Sequence, residues 1–141
     1  MRPARVLDTE AVNLLVWVDG WQMECCGASF RVGSRIAWTL GPADADALTP
    51  VLGENTAATV DRVEDHHGDL PEDTPATEAT VTAITAVHCR YAPRAHDDPR
   101  TLHPVNDSAV FSAVTHADGR TPDLGELQFV GYLVRLAAPR R

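Results

Sequence analysis

The sequence predicts a mainly β domain: a small barrel or rolled antiparallel sheet, SH3-like or OB-like, of about six strands with at most one short helix. Most apolar residues recur with period two, which is the period of a strand rather than of a helix. Segments rich in glycine, proline and acidic residues separate these runs, as turns and loops do. The chain has 141 residues, of which 44% are apolar. That length allows one core without disulfides or metal, so we expect residues 1–141 to form a single domain.

The first strand is predicted at residues 12–18, a β-branched and aromatic run that is typical of a buried strand. A hairpin-like entry to the next strand follows. It consists of residues 30–32, a turn at Gly33-Ser34 and an alternating segment over residues 35–40.

Within that alternating segment, Ile36, Trp38 and Leu40 share one face. We expect these three side chains to point into the core, while Arg35 and Thr39 face outwards. A slip of one residue in register would expose the whole apolar set, so the register is strongly specified.

One short helix is expected over residues 47–52. Asp44 or Asp46 could cap its N-terminus, and Gly53 could end it. Pro50 would then fall near the first turn, where a missing N–H group is tolerated.

Further along the chain, period-two patterns predict four more strands. The longest should carry Val81 and Val87 on one face, and we expect both side chains in the core. The four segments are residues 59–64, 80–91, 109–116 and 126–136.

Three segments are predicted to lack regular structure. Residues 1–11 should form a flexible N-terminus, and residues 68–77 an acidic loop that contains proline. Residues 92–106 should form a long loop without regular secondary structure over most of its length. It contains Pro93, Pro99 and Pro104, and each removes a backbone donor and disfavours helix before it.

Charge and composition exclude several classes of function. The net charge is −8, from 20 acidic and 12 basic residues. This balance argues against nucleic-acid binding, which normally needs a clustered basic patch. The longest apolar run is too short to span a membrane, and acidic residues near the N-terminus argue against a signal peptide. Three cysteines, two of them adjacent, suit a reducing compartment, so we expect a cytoplasmic protein.

Two short motifs could together hold zinc. Cys25-Cys26 precedes a glycine, and His66-His67 also precedes one. Two thiols and two imidazoles would satisfy a tetrahedral ion. The spacing is unfavourable, because adjacent residues on a strand point to opposite faces. Packing of the cysteines as small apolar side chains is the alternative, and no cofactor is then needed.

The same residues allow two hypotheses of catalytic function. Asp65-His66-His67 resembles the triplet of the DHH phosphoesterases, whose carboxylates and imidazoles hold a metal pair. That likeness covers only these few residues, and the chain lacks the alternating helices of that superfamily. A Cys–His nucleophile pair is conceivable from the two motifs. The acidic run that begins at Glu64 is more typical of a solvated loop.

Two aromatic residues are candidates for a binding surface. Trp21 follows Asp19-Gly20 in a predicted turn, and Phe30 opens the next segment. An exposed aromatic patch around Trp21 and Phe30 would indicate a surface for a protein partner or a small ligand.

Residues 16–40 and 64–93 resemble an uncharacterised family of small proteins from high-GC Gram-positive bacteria. The likeness rests on a Trp-Gln, a Cys-Cys-Gly, a Phe-x-Val-Gly and a following Trp-Thr-Leu, with a weaker match around Val130-Gly131-Tyr132. As a domain of unknown function, that family implies a single bacterial domain but no reaction, ligand or site residue.

The sequence therefore favours a non-enzymatic cytoplasmic binding or protein-interaction domain. One alternative is a zinc-binding protein or a metal-dependent hydrolase that uses Cys25, Cys26, His66 and His67. Another is an acidic immunity-type inhibitor of a basic toxin, which rests on the negative charge alone.

Overall fold

The computed structural model describes residues 11–20, 23, 28–65, 71, 73–96 and 98–139. It confirms a mainly β fold, with one sheet that curls into a half-barrel. The strands are β1 (Ala11–Asp19), β2 (Phe30–Arg31), β3 (Arg35–Trp38), β4 (Leu40–Pro42), β5 (Arg62–Glu64), β6 (Thr77–Cys89), β7 (Tyr91–Pro93), β8 (Leu102–Pro104), β9 (Val110–Val114), β10 (His116–Ala117) and β11 (Gln128–Pro139). Two helices, α1 (Ala45–Leu52) and α2 (Glu54–Ala57), lie between β4 and β5.

Three long strands form the centre of the sheet. β11 lies between β6 and β1 and is antiparallel to both, and its register with β1 runs unbroken from Ala11–Pro139 to Asp19–Gly131. The strand order is β3-β6-β11-β1-β5-β4, and β9 also pairs with β6. β5 joins β1 in parallel, which is possible because the helices lie on the connection that leads to β5.

The two ends of this strand order are neighbours in the chain. β3 pairs with β6 at one end and β4 pairs with β5 at the other, although Thr39 alone separates β3 from β4. The carbonyl oxygen of Thr39 accepts a hydrogen bond from the amide of Asp65 at 2.9 Å. We call residues 35–42 the seam. Since one continuous segment pairs with both ends, the sheet must curl.

Apolar side chains cover both faces of the curled sheet. The inner cluster lies on the concave side, and the outer cluster lies between the sheet and the helices. The buried residues of the inner cluster are Val16, Val18, Met23, Phe30, Ala79, Val81, Ile84, Ala86, Ala117, Tyr132, Val134, Leu136 and Ala138. Those of the outer cluster are Trp17, Leu52, Ala57, Val60, Val87 and Leu133.

A β-bulge in β6 breaks the strict alternation expected for residues 80–91. Arg135 pairs with Ala83 while the next residue of β11 pairs with Val81, so Thr82 is the extra residue. Val81 and Ile84 consequently reach the same inner cluster, although odd and even residues were expected on opposite faces. Val87 is also buried, as expected, but it belongs to the outer cluster.

The bulge is also where β6 changes partner along one edge. Its first residues pair with β3, and residues 84–88 pair with β9. Between them, Val81 accepts from the Gly33 amide at 2.7 Å and donates to the Ser34 carbonyl at 2.9 Å. The turn at Gly33, where φ is 96°, is therefore confirmed. The expected hairpin is wrong, because β2 pairs with β10 instead of β3.

The expected register of the seam is confirmed. Ile36, Trp38 and Leu40 all pack against the inner cluster, although each is only partly buried. Arg35 is exposed, as predicted, and Thr39 is partly buried.

Helix α1 begins two residues earlier than expected. The side chain of Asp44 accepts from the amides of Asp46 and Ala47 at 3.0 and 3.3 Å, and Gly53 ends the helix with φ at 85°. Pro50 consequently lies beyond the first turn, near the C-terminal end. The four-residue helix α2 was not expected, because so short a segment shows no helical period.

The predicted loop over residues 92–106 has structure at both of its ends. β7 and β8 form a small antiparallel ladder in which Tyr91 pairs with Pro104 and Pro93 with Leu102. Within the described chain, no helix is long and apolar enough to cross a membrane.

Hydrogen exchange should separate this loop from the strand before it. We expect amides at residues 94–96 and 98–101 to exchange at least about 1000-fold faster than those of Ile84 to His88, which are paired on both edges. Exchange followed by NMR would measure the ratio. Comparable protection in the two segments would show that the loop is a packed element.

Candidate functional site

A cleft of about 520 Å³ opens where the seam passes β5. At this cleft the seam connects the two ends of the sheet, because β3 pairs with β6 and β4 pairs with β5. Its walls come from the segment before β2, from β3 and from the end of β5. The lining residues are Ala28, Ser29, Phe30, Arg35, Ile36, Ala37, Trp38, Thr39, Glu64 and Asp65.

Two aromatic rings form one wall of this seam cleft. The centroids of Phe30 and Trp38 lie 5.0 Å apart with an interplanar angle of 73°, an edge-to-face arrangement. Phe30 also contacts Tyr132 edge-to-face at 6.2 Å. Trp38 is only partly buried, so part of its ring is open to solvent. Phe30 thus supports Trp38 from within the inner cluster.

Phe30, a candidate for a binding surface, is buried. Its side chain is only 5% exposed. The reason is the alternation of β2, which turns Phe30 to the inner cluster and leaves Arg31 exposed. Phe30 itself contributes little exposed surface, and Trp38 is the more exposed of the two described aromatic residues that line the cleft.

A carboxyl group lies buried beside these rings. Glu64 ends β5 opposite Leu40 and is 3% exposed. Its neighbour Val63 joins the outer cluster, so Glu64 faces the inner side of the sheet. Burial, with a further contribution from the charge of Asp65, raises the pKa of Glu64 to about 8. At neutral pH this carboxyl is therefore largely protonated.

The sequence pattern gave no sign of this buried acid. Glu64 begins an acidic run, which favoured a solvated loop, and that interpretation is wrong for Glu64. Hydropathy alone cannot predict that this carboxyl is buried. Its burial depends on the contact between the seam and β5, where the Asp65 amide donates to the Thr39 carbonyl.

The other predicted site residues lie outside the described residues. These are Trp21, Cys25, Cys26, His66 and His67. Two described residues close to them in the sequence, Ala28 after Gly27 and Asp65 before His66, line the seam cleft. In the described part of the chain, no group of three or more His, Cys, Asp or Glu side chains could hold a metal ion.

A second group of polar contacts involves His88 and Tyr132. The Nε2 atom of His88 is 2.8 Å from the carbonyl oxygen of Pro122, so this nitrogen carries the proton and donates. The hydroxyl of Tyr132 accepts from the Gly119 amide at 3.2 Å and shares a hydrogen bond of 2.6 Å with Thr121 Oγ1. These contacts fix the loop before β11 to the sheet, which is a structural role.

The described thiol is not an activated nucleophile. Cys89 is fully buried, and burial raises the pKa of its thiol despite a hydrogen bond with Tyr91. Burial likewise raises the pKa of Tyr91, with smaller contributions from Cys89 and Asp19. A protonated, enclosed thiol is typical of a structural cysteine.

Comparison with known proteins gives one match. The model of a Family of unknown function (DUF6578) matches residues 12–138. No curated protein and no solved structure matches the chain.

Proposed function

The chain belongs to the Family of unknown function (DUF6578), and we propose that it is a non-enzymatic binding domain whose ligand enters the seam cleft. The observation that carries this proposal is the pairing of a partly exposed Trp38 with the buried carboxyl of Glu64 in one cleft. A concave site in which an aromatic side chain lies beside a few convergent polar groups has features of a ligand site. Buried carboxyls in clefts are also enriched at functional sites.

The chemistry of the cleft favours a positively charged group on the ligand. Among the described lining residues, Glu64 and Asp65 contribute two carboxyl groups and Arg35 one guanidinium, and a bound cation would favour the ionised form of Glu64. Trp38, a partly exposed residue in the cleft lining, supplies an aromatic ring for a cation–π contact. A net charge of −8 attracts cations to the whole surface. An arginine or lysine side chain of a protein partner fits these conditions, as does a small organic cation.

Thermal unfolding of the full chain with three small probes tests this preference. The probes are N-acetyl-arginine amide, its neutral isostere N-acetyl-citrulline amide, and N-acetyl-glutamate amide. We expect only the arginine probe to raise Tm, because a ligand that binds the folded state stabilises it by mass action. Equal shifts with all three probes, or none with any, would refute a cation site.

Matched variants locate the effect. Glu64→Gln keeps the side-chain shape and removes the carboxyl group, which a bound cation would convert from its protonated to its ionised form. We expect it to lower the affinity for the arginine probe by about 10-fold, the usual effect of losing one charged contact. Glu78→Gln, an exposed change on β6, serves as the control and should leave the affinity unchanged.

Zinc binding is a second candidate, favoured by one observation. The residue that follows the Cys25-Cys26-Gly27 segment and the residue that precedes His66-His67 line the same cleft. Elemental analysis of the purified chain would test it, with Cys26→Ser and His67→Ala compared against Cys89→Ser. We then expect stoichiometric zinc, lost in the first two variants and kept in the third. A chain without zinc, both as purified and after incubation with Zn²⁺, would remove this candidate.

The free, buried thiol of Cys89 supports a cytoplasmic location for the chain.

The acidic charge also suits a role as an inhibitor of a basic toxin, in which the seam cleft would receive a basic side chain of that partner. Co-purification with a basic protein that the Glu64→Gln variant fails to retain would support this role, and retention by the variant would oppose it.

A further inference from the structure

A second surface lies at the edge of the sheet, away from the seam cleft. β9 pairs with β6 through residues 110–114, and among the described strands none pairs with its other edge. Alternate residues of such an edge present unpaired N–H and C=O groups to solvent. Proteins usually protect an edge with charges or proline, because it can pair with another chain. The five residues of β9, Val-Phe-Ser-Ala-Val, contain neither.

The exposed apolar side chains of β9 agree with a surface for a partner. Val110 is 37% exposed and Phe111 is 43% exposed, two of the few large apolar side chains that are open to solvent in the described chain. Phe111 pairs in register with Val87 of the outer cluster, so its ring lies on the helix side of the sheet. A strand added at this edge would lie beside both side chains.

A groove next to Phe111 could receive a side chain of the added strand. It has a volume of about 500 Å³ and lies between the start of β9 and the junction of α1 with α2. Glu54 and Asp107 contribute carboxyl groups to its lining, and none of the described residues that line it is basic. Gly53, at the junction, leaves open space on its Cβ side. The groove is therefore complementary to a basic side chain.

These observations select one occupant. We propose that β9 is a strand-addition site for an extended peptide segment of a partner that alternates apolar and basic side chains. Backbone hydrogen bonds to β9 supply the affinity, and the acidic groove beside Phe111 selects the basic residue. A second copy of this chain is a poorer occupant, since β9 contains no basic residue and two copies would bring their acidic grooves and negative charges together.

The probe is a capped octapeptide of alternating valine and arginine, titrated into the full chain and followed by NMR. We expect shifts at Val110 to Val114 and slower exchange of the outward-facing amides of β9. A peptide in which glutamate replaces arginine should bind at least about 10-fold more weakly. Equal affinity for the two peptides, or shifts centred away from β9, would overturn the proposal.

N-methylated peptides distinguish strand addition from attraction by charge alone. One version carries methyl groups on the valine amides and another on the arginine amides. Only alternate amides of an added strand face β9, so one version should lose about 10-fold or more in affinity and the other should keep it. If both versions bind equally, the peptide does not pair as a strand.

Variants of the chain complete the test. Phe111→Ser and Asp107→Asn should each weaken binding of the valine–arginine peptide several-fold. Asparagine is chosen at position 107 because it tolerates the left-handed backbone there, where φ is 63°. Leu102→Ser, at an equally exposed apolar residue on β8, is the matched control. Equal effects of Phe111→Ser and Leu102→Ser would contradict the proposal. A dimer of the chain that dissociates in the Phe111→Ser variant would also contradict the proposal, because a second copy would then occupy the edge of β9.

Discussion

Replacing Gly131 by alanine should lower the free energy of unfolding by about 3 kcal/mol, the upper part of the range for overpacking a core. A Cβ atom at this position would lie 2.6 Å from Cη2 and Cζ2 of Trp17 and 2.6 Å from the carbonyl oxygen of Val18. The ring of Trp17 is 5% exposed and belongs to the outer cluster, so it has little room to move. The Val18 carbonyl belongs to β1, whose register with β11 would have to shift.

Urea denaturation would measure this loss, with Arg135→Ala as the control. Arg135 lies on the same strand and its side chain is exposed, so its replacement should change the free energy by no more than about 0.5 kcal/mol. A cost below about 1 kcal/mol for Gly131→Ala would show that Trp17 does not pack against the backbone of β11.

The second large effect concerns the pH dependence of stability, for which Glu64 should be responsible. Its pKa is 4.5 without the fold and about 8 in the folded chain. The folded state therefore retains a proton that the unfolded state releases between these values. The stabilisation is fully present below pH 4.5, declines as the pH rises, and is lost above about pH 8. One pKa unit corresponds to about 1.4 kcal/mol. Relaxation and water penetration around a buried charge reduce this value, so we expect a decline of about 2–3 kcal/mol.

Comparison with Glu64→Gln isolates this contribution, because glutamine has a similar shape and does not titrate. Urea denaturation between pH 5 and pH 9 should show the variant gaining stability relative to the native chain as the pH rises. Glu78→Gln, at an exposed position, should give a profile parallel to that of the native chain. A parallel profile for Glu64→Gln as well would show that the Glu64 carboxyl does not keep its proton in the folded state.

The sequence predicts the long strands well, because apolar alternation depends only on local order. The segments assigned to β1, β6 and β11 all form, and the face of Trp38 is the one expected. The bulge at Thr82 could not be predicted, since it depends on Val81 meeting the Gly33-Ser34 turn from a distant part of the chain. Partner choice in the sheet, such as β2 with β10, has the same long-range origin.

The candidate site was predicted less well than the fold. Phe30 was selected as a binding residue, whereas in the structure it is buried and packs edge-to-face against Trp38. Trp38 was assigned to the core alone, because alternation reports which face a side chain takes and not how far that face is covered. Glu64 was read as part of a solvated run, since its burial requires the seam to close on β5.

Mapping the arginine probe on the chain tests the central claim, that the seam cleft is the binding site. Backbone amide shifts in ¹⁵N-labelled protein would be followed during titration with N-acetyl-arginine amide. The largest shifts should fall at the cleft residues Arg35, Ala37, Thr39 and Asp65, with the Trp38 indole N–H among them. Shifts that spread over the acidic surface, or that centre on β9 while the seam stays unchanged, would contradict a binding site in the seam cleft.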